Sequence, residues 1–425
     1  MGTWTYSKMG YSGFSLLKHA VTGNRRWPDV LAEPEMRASY DIVIIGGGGH
    51  GLATAHYLTS NHGITNVAVV EAGWIGGGNT ARNTTIVRSD YLLNASFQLK
   101  HFALKLWSDL TQDLNFNVMY EPRGYVDLAH SDGELEHFTL RANAMQLRGA
   151  DAAILTGDSL QQRVPELDLS GAKRFPVAGA LVQEAGGVVR HDAVAWGFAQ
   201  NAAAAGIHIF QNCPAISFDI DAGRIIAVTT PKGRIACKQV LISVAGSSSE
   251  VAQMAGVDLP LTTINVQALV TEPVKPALDT VVNYNAGLSY VSQTSKGEFV
   301  LGGATDGYAS FARRGSFERI EDVLARAVQM FPFLSRLRLM RHWSGSADIP
   351  MDGNAIMGRT PIDGLMINAG WGYAGFKATP AVGWCMANLL ATGDMPDLVA
   401  PFALERFANG AEQDDAGIGP YPWLH

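Results

Sequence analysis

Apolar and polar residues follow one another in blocks near the start of the chain, and the blocks predict a βαβ unit. Residues 41–45 (Asp-Ile-Val-Ile-Ile) form a continuous β-branched run followed by glycine. Such a run is typical of a strand that is buried on both faces of a parallel sheet. Residues 52–58 follow with a helical pattern that ends near Gly63, and residues 66–71 form a second buried run. We therefore expect two parallel strands joined by a helix.

Similar blocks recur in the middle and near the end of the chain. Strands of the same kind are predicted at 207–210, 239–246 and 365–370, and helices at 191–205, 320–329 and 381–391. Residues 223–237 alternate around a turn and predict an antiparallel meander. The block from about 259 to 339 mixes alternating strands with a helix.

The spacing of these blocks predicts an α/β fold with a discontinuous nucleotide-binding domain. We assign to that domain residues 37–114, 178–258 and 340–400, because its strands occur in three separated parts of the chain. A second domain is expected from 115–177 and 259–339. An N-terminal arm (1–36) and a C-terminal tail (401–425) complete the predicted organisation.

Glycine is the compositional outlier, at 46 of 425 residues against about 30 for an average protein of this length. No collagen-like period accounts for the excess, so these glycines are expected in tight turns or where the backbone approaches a ligand. Cys213, Cys237 and Cys385 are too few for a disulfide scaffold and too widely spaced for a metal cluster. We predict no metal site.

Charge and hydropathy argue against two kinds of partner. The formal net charge is −7 and no basic run is present, so nucleic acid binding is not expected. No stretch reaches the roughly 18 apolar residues of a membrane-spanning helix, and no membrane association is expected. The N-terminal residues lack the apolar core of a secretory signal, which makes a cytoplasmic location the default expectation.

The loop between the first strand and its helix carries a dinucleotide-binding fingerprint. Gly46, Gly48 and Gly51 have the spacing G-x-G-x-x-G between a strand and a helix. In that context the glycines allow a tight turn, close approach of the pyrophosphate and close helix–strand packing. Gly49 and His50 lie in the same loop, at the helix N-terminus that would face the phosphates.

Glu71 provides the acidic residue that this fingerprint requires. It ends the second predicted strand 20 residues after Gly51, where a carboxylate can accept hydrogen bonds from both ribose hydroxyls. An acid at this position also disfavours a phosphorylated ribose. The glycines, the helix and the acid together predict a dinucleotide site.

Three further motifs favour FAD over NAD. They are residues 73–80 (Gly-Trp-Ile-Gly-Gly-Gly-Asn-Thr), residues 342–345 followed by 352–356, and residues 370–377 (Gly-Trp-Gly-Tyr-Ala-Gly-Phe-Lys). In this order they resemble the amine-oxidising branch of the D-amino-acid oxidase superfamily, except that Ala355 replaces the usual proline. The resemblance implies non-covalent FAD in a Rossmann-like domain of the glutathione-reductase type, with an inserted α+β substrate domain.

Within that superfamily, the chain resembles the β subunits of heterotetrameric sarcosine oxidases. The matching segments are 46–55, 78–89 and 190–197, and the resemblance extends over most of the chain. It implies a hetero-oligomer with other subunits of this type, sarcosine as the substrate, and FMN bound covalently to His191. Arg190 would then stabilise negative charge on the reduced flavin. Without the resemblance, His191 is a partly exposed residue at the start of a helix.

The resemblance also implies which residues contact FAD and the substrate. Beyond the phosphate loop and Glu71, the FAD-binding set comprises Asn79, Thr84, Thr85, Gly372, Gly375, Phe376 and Lys377. Arg88 follows the flavin-facing loop, where its planar fork would hold the substrate carboxylate. Lys377 would be the second cation of this clamp, or a group near the flavin that assists electron transfer. Without the resemblance, Arg88 fits a surface ion pair and Lys377 a lysine that extends to water. Tyr290 is a further candidate for the site: it either lines the substrate cavity or belongs to the core.

The implied reaction is oxidation of the N-methyl group of sarcosine. It yields glycine and formaldehyde, with hydride passing to FAD and electrons continuing to FMN and to oxygen, which becomes hydrogen peroxide. Three alternatives stay open. They are an N-methylglutamate dehydrogenase subunit, a monomeric FAD amine oxidase without FMN, and a flavin-containing assembly factor without turnover.

Overall fold

The computed structural model describes residues 13–23, 30–170, 174–284 and 289–413. The chain divides into two compact units, residues 1–33 and residues 34–425. In the first unit the described residues form helix α1 (Gly13–Val21). The rest of the predicted arm up to residue 29, and the predicted tail beyond residue 413, lie outside the described residues.

The described helices of the second unit include the four predicted ones and four that were not predicted. They are α2 (Gly49–His62), α3 (Asn94–Asp113), α4 (Asp132–Leu147), α5 (Gly157–Arg163), α6 (His191–Ala204), α7 (Ser248–Gln253), α8 (Phe317–Met330) and α9 (Gly375–Thr392). The predicted helices are observed as α2, α6, α8 and α9, whereas α3, α4, α5 and α7 were not predicted. Among the helices of the described ranges, none combines the length and apolar content needed to cross a membrane.

The strands fall into two large sheets and one short ladder. They are β1 (Ser39–Ile45), β2 (Val67–Val70), β3 (Ile86–Val87), β4 (Tyr125–Ala129), β5 (Ala153–Leu155), β6 (Gly179–Gln183), β7 (Gly187–Val188), β8 (His208–Phe210), β9 (Ser217–Asp221), β10 (Arg224–Thr230), β11 (Gly233–Ile242), β12 (Leu261–Thr271), β13 (Val281–Tyr284), β14 (Ser289–Gln293), β15 (Phe299–Ala309), β16 (Leu339–Pro350), β17 (Ile356–Arg359) and β18 (Leu365–Ala369).

The first sheet contains the predicted parallel strands. Its order is β17-β18-β11-β1-β2-β8, in which β18, β11, β1, β2 and β8 pair in parallel. Residues 42–45 of β1 are hydrogen-bonded on one side to residues 67–70 and on the other to residues 239–242. Apart from Gln239, these runs are apolar because both faces of the sheet are covered. The predicted βαβ unit and the α/β fold class are confirmed.

One local prediction was wrong in this sheet. Residues 234–237 were expected to belong to an antiparallel meander, separate from a parallel strand at 239–246. The structure joins them in the single strand β11, whose first residues pair antiparallel with β10 while its later residues pair parallel with β1. Charged and polar residues between the two runs interrupt the apolar pattern without breaking the backbone ladder.

The second sheet is mixed and has the order β16-β12-β15-β14-β13-β4-β6-β5. Helix α8 covers part of it, with Ile320, Val323 and Ala327 buried in the same apolar cluster as strand residues such as Val291 and Leu301. Strands β6 and β16 belong to this sheet, although the predicted boundaries at 178 and 340 placed them with the nucleotide-binding segments. Those boundaries stay a prediction.

Helix α9 lies directly against α2, and this contact brings an early and a late segment of the second unit together. A Cβ atom at Gly383 would overlap the side chain of Ala53, so glycine permits the close approach of the two helices. Since α2 starts at the phosphate loop and α9 at the late glycine loop, their packing places both loops at the same edge of the first sheet.

Candidate active site

The phosphate loop has the backbone geometry that its glycines predicted. Gly46 adopts φ +111°, and a Cβ atom there would overlap the carbonyl oxygen of Ser243. At Gly51 a Cβ atom would overlap the carbonyl oxygen of Gly46, so the first turn of α2 packs directly on the end of β1. Gly48 caps α2 without a side-chain hydrogen bond. The N–H of Gly49, the first residue of α2, donates to Oγ1 of Thr80 at 2.9 Å, and the other N–H groups of this helix N-terminus suit a pyrophosphate.

Glu71 connects two glycine loops. Its carboxylate accepts hydrogen bonds from the N–H groups of Gly47 at 2.7 Å and Gly73 at 2.8 Å. A carboxylate fixed in this way at the end of β2 is oriented to accept further hydrogen bonds from ribose hydroxyls. The arrangement of Glu71 and the phosphate loop fits the adenosine part of a dinucleotide.

The His50 side chain is occupied by protein contacts. Its Nε2 atom lies 2.8 Å from the carbonyl oxygen of Gly375, and its Nδ1 atom lies 3.1 Å from the Nδ2 atom of Asn368. Since the carbonyl can only accept, Nε2 donates to it and Nδ1 accepts from Asn368. Burial lowers the pKa of His50 to about 4, so the ring is neutral at physiological pH. His50 therefore ties the phosphate loop to the late glycine loop.

The loop after Glu71 is attached to strand β16. Asn79 makes two hydrogen bonds to the backbone of Ser346, accepting from its N–H at 3.1 Å and donating to its carbonyl oxygen. The indole of Trp343 donates to the carbonyl oxygen of Arg82 at 2.8 Å. The strand that carries the predicted tryptophan motif is thus hydrogen-bonded to the loop that follows Glu71.

Asp348 and Asn368 organise the late glycine loop, and sequence reasoning missed both. The Asp348 carboxylate accepts from the N–H of Gly370 at 2.6 Å, and its carbonyl oxygen accepts from Gly372 at 3.0 Å. Burial raises the pKa of Asp348 to about 6. Asn368 bridges His50 and Trp371. The available signal for Asn368 was a polar residue inside the otherwise apolar strand β18; Asp348 lies in a strand that already contains several polar residues.

A cavity of about 200 Å³ lies between the predicted flavin-facing loops and the second sheet. Its walls include Thr84, Thr85, Arg88, Phe376 and Lys377, which were all predicted as site residues. The second sheet contributes residues from β4, β12, β13, β14 and β15, namely Tyr125, Val266, Asn283, Tyr290 and Gly303. The structure therefore brings both predicted cations to one small cavity.

Arg88 lies at the cavity wall among acidic and aromatic groups. Its Nη1 atom donates to the carboxylate of Asp90, and its Cζ atom lies 4.9 Å from the ring centroid of Tyr125 and 5.1 Å from that of Tyr91. Burial opposes the charged form, but Asp90 and the tyrosines outweigh it and hold the pKa of Arg88 well above its ordinary value. Arg88 therefore stays positively charged in the cavity wall.

Lys377 is buried in the first turn of α9. Its Nζ atom donates to the carbonyl oxygen of Tyr373 at 3.1 Å, and its backbone carbonyl accepts from the indole of Trp107 at 2.9 Å. Burial, and secondarily the charge of Arg88, lower the pKa of Lys377 well below its ordinary value. The amino group of Lys377 is therefore at the cavity and does not extend to water.

Tyr290 also contacts the flavin-facing loop. It lines the cavity, and a hydrogen bond with the Thr84 side chain connects β14 to that loop. Burial raises the pKa of Tyr290 to about 12, so its hydroxyl stays protonated. Of the two roles considered for Tyr290, the structure places it at the cavity.

His191 lies outside the cavity wall, as the first residue of α6. It is half-buried, and its Nδ1 atom has no hydrogen-bond partner among the described residues. Burial is the main cause that lowers the pKa of His191. Arg190 is paired with Asp192 at 2.6 Å. A neutral imidazole with an unpartnered nitrogen fits the nucleophile that covalent attachment to a flavin methyl group needs.

Comparison with known proteins identifies the class to which this fold and site belong. Residues 41–389 match the family model described as FAD dependent oxidoreductase. L-Proline dehydrogenase from P. horikoshii has the same fold, with a TM-score of 0.83 and 26% identity over 89% of this chain and 100% of that one. The chain therefore belongs to the FAD-dependent oxidoreductase family, and the predicted fold is confirmed.

Full-length relatives narrow the group further. The sarcosine oxidase subunit beta of Rhizobium meliloti (strain 1021) is 48% identical over 417 residues, which cover 98% of this chain and 100% of the relative. The sarcosine oxidase subunit beta of Arthrobacter sp is 44% identical, over 92% and 96% of the two chains. Within the family, the chain belongs with the β subunits of sarcosine oxidase, and it is an amine oxidoreductase.

Proposed function

We propose that this chain oxidises the N-methyl group of sarcosine. The observation that carries the proposal is the placement of Arg88 and Lys377 on one cavity of about 200 Å³ beside the loops of the FAD-binding domain. When bound, FAD accepts the hydride equivalent removed from the substrate. The overall reaction is sarcosine, oxygen and water to glycine, formaldehyde and hydrogen peroxide.

The loops that carry the residues predicted to bind FAD have a backbone geometry that suits a dinucleotide. The phosphate loop and Glu71 would hold the adenosine and pyrophosphate, and the 79–85 and 372–377 segments would flank the isoalloxazine. Asn79 and His50 would act by fixing these loops, since their side chains are bonded to protein groups.

Arg88 would bind the carboxylate of the amino acid. A guanidinium has five N–H donors; Asp90 takes one, which leaves others for a bidentate pair with the substrate. Lys377, whose pKa is lowered by burial, can donate a hydrogen bond to the bound ligand and, when deprotonated, accept a proton from it. Lys377 is buried and Arg88 is mostly buried, so both interactions are stronger than they would be in water.

The size and charge of the cavity favour sarcosine over N-methylglutamate. The larger substrate needs room for a longer side chain and a partner for a second carboxylate. Among the residues that line the cavity, Arg88 and Lys377 are the basic side chains, and the carboxylate of Asp90 already pairs with Arg88. A small N-methyl amino acid has only one carboxylate, and Arg88 can bind it.

The flavin absorbance tests this proposal. The purified, FAD-loaded assembly is mixed without oxygen with sarcosine or with N-methyl-L-glutamate, and bleaching of the flavin is followed by stopped flow. Faster bleaching by sarcosine at equal concentration is expected. Preferential bleaching by N-methylglutamate would assign the chain to the dehydrogenase, and bleaching by neither would support a protein without turnover.

We further propose that His191 carries covalent FMN, with the site completed by another subunit of the assembly. The half-buried, unpartnered imidazole at the start of α6 supports this. The experiment is acid precipitation followed by fluorescence of the separated chain. Flavin should stay with the wild type and with His137→Ala, a control at an exposed histidine of α4, and be absent from His191→Ala. Retention in His191→Ala contradicts the attachment site.

A further inference from the structure

A buried carboxylate lies behind Arg88, outside the cavity wall. Asp90 follows two residues after Arg88 and its side chain is fully buried. One of its oxygens accepts the hydrogen bond from Nη1 of Arg88. The other oxygen, Oδ2, accepts no hydrogen bond from the described residues and lies 3.9 Å from Nη1 of Arg141.

Arg141 connects Asp90 to a second buried acid. Its Nη2 atom donates to Oδ2 of Asp127 at 2.8 Å. Oδ1 of Asp127 accepts from the side-chain amide of Asn283, also at 2.8 Å. The parallel pairing of β13 with β4 places Asn283 opposite Asp127, and Asn283 lines the cavity. The network thus starts and ends at the cavity wall.

This network restrains the direction of the Arg88 guanidinium. The Asp90 contact fixes one edge of the planar group, and the rings of Tyr91 and Tyr125 lie within about 5 Å of its centre. A flexible arginine side chain loses rotamer entropy when it is ordered. If that ordering is already complete before the ligand arrives, binding does not have to supply it.

We propose that Asp90 is a positioning residue that aims Arg88 at the substrate carboxylate. The inference rests on the proposed function, because it assumes that Arg88 binds a carboxylate. If Asp90 had a purely structural role, its substitution would change the dissociation constant of the ligand equally with and without Arg88. A double-mutant cycle distinguishes this case from a positioning role.

The test uses a carboxylate that cannot be oxidised as an amine. Methoxyacetate has an ether oxygen in place of the nitrogen of sarcosine, and its binding is followed by the change in flavin absorbance of the FAD-loaded assembly at constant ionic strength. Asp90→Asn keeps the shape of the side chain and removes its charge. We expect its dissociation constant for methoxyacetate to rise about tenfold or more, since a charge-assisted contact is worth about 1.5–3 kcal/mol.

The same substitution in an Arg88→Met background should change the dissociation constant less than about twofold. An unchanged or lower dissociation constant in Asp90→Asn overturns the proposal, and so does an equal loss in both backgrounds. If Arg88→Met binds methoxyacetate as tightly as the wild type, the carboxylate clamp itself fails, which is a failure of the proposed function.

Asp90→Glu covers the case in which Asp90→Asn does not fold. It keeps the ion pair but moves the carboxylate by one methylene, so the guanidinium is displaced while the charge balance is retained. The expected result is a several-fold higher dissociation constant with normal FAD content. Wild-type affinity in this variant contradicts the positioning role.

Discussion

The backbone N–H of Val189 donates a hydrogen bond to the carbonyl oxygen of Thr85 at 3.0 Å. Thr85 lines the cavity, and Val189 lies two residues before His191. The short ladder of β3 with β7 continues the contact, with Ile86 opposite Val188. The segment that forms the cavity wall is therefore hydrogen-bonded to the segment that leads to the proposed FMN attachment site, and a displacement of one is transmitted to the other.

Gly187→Ala is expected to impair both sites together. A Cβ atom at Gly187 would overlap the carbonyl oxygen of Glu121, so β7 has to move away from its neighbours. Overpacking of this kind costs about 1–3 kcal/mol. Sarcosine affinity, measured by anaerobic flavin bleaching, and the covalent flavin fraction, measured after acid precipitation, should both fall.

Gly133→Ala is the matched control for this prediction. Gly133 is in α4 with no atom near its potential Cβ position, so an alanine there is accommodated. Both measurements should stay at the wild-type level. A Gly187→Ala variant that loses only one of the two properties would show that the ladder does not couple the sites.

Lys377→Met should change the pH dependence of stability. The pKa of Lys377 is lowered in the folded protein, so between this lowered pKa and about 10.4 the unfolded chain binds one more proton than the folded chain. Wild-type stability therefore rises with pH in that window, by about 1.4 kcal/mol per unit. The variant lacks this dependence, so its stability relative to wild type should decrease as the pH rises.

Urea unfolding of both proteins between about pH 6.5 and 9.5 measures that difference. Lys238→Met replaces a lysine whose side chain is 75% exposed, and its difference from wild type should be constant over this range. A constant difference for Lys377→Met as well would mean that the folded protein keeps Lys377 charged.

Arg406→Met should destabilise the protein strongly. Arg406 and Asp352 form an ion pair at 2.7 Å in which both side chains are almost fully buried. Removing one partner leaves a buried charge unpaired, at a cost of about 3–5 kcal/mol. Arg224→Met breaks an exposed pair with Asp363 and should cost at most about 1 kcal/mol. Equal unfolding free energies for the two variants would contradict this ranking.

Tyr290→Ala should broaden the substrate range. The Tyr290 ring lies over Gly302 and forms part of the cavity wall, and an extra methyl group in a tight pocket costs about 1–3 kcal/mol. The ratio of kcat/KM for N-methyl-L-alanine to that for sarcosine is expected to rise about tenfold. Tyr308→Ala, at an exposed position of β15, should leave the ratio unchanged. An unchanged ratio in Tyr290→Ala would show that this tyrosine does not restrict the size of the substrate.

Local sequence predicted much of the site because its constraints are local. Gly46 and Gly51 are required by backbone overlaps within one strand–turn–helix unit, and such units have a recognisable spacing. Glu71 ends the adjacent strand. Arg88 and Lys377 were identified through motifs next to glycine loops, and the structure places both on one cavity.

The groups that sequence reasoning missed act across long distances in the chain. Asn283 reaches Asp127 through the pairing of β13 with β4, which are separated by more than 150 residues. No periodicity or motif spacing contains such contacts, because they depend on which strands become neighbours.

The α/β class, the FAD loops and the family of this protein follow from the amino-acid sequence. Buried strands need apolar runs and close backbone approaches need glycine, and both requirements appear in the sequence at fixed short spacings. The shared cavity of Arg88 and Lys377, and the contact of Asp90 with Arg88, follow only from the packing of the folded chain. Burial, and with it the lowered pKa of Lys377, is a property of the packed chain, since it depends on the elements that surround a side chain.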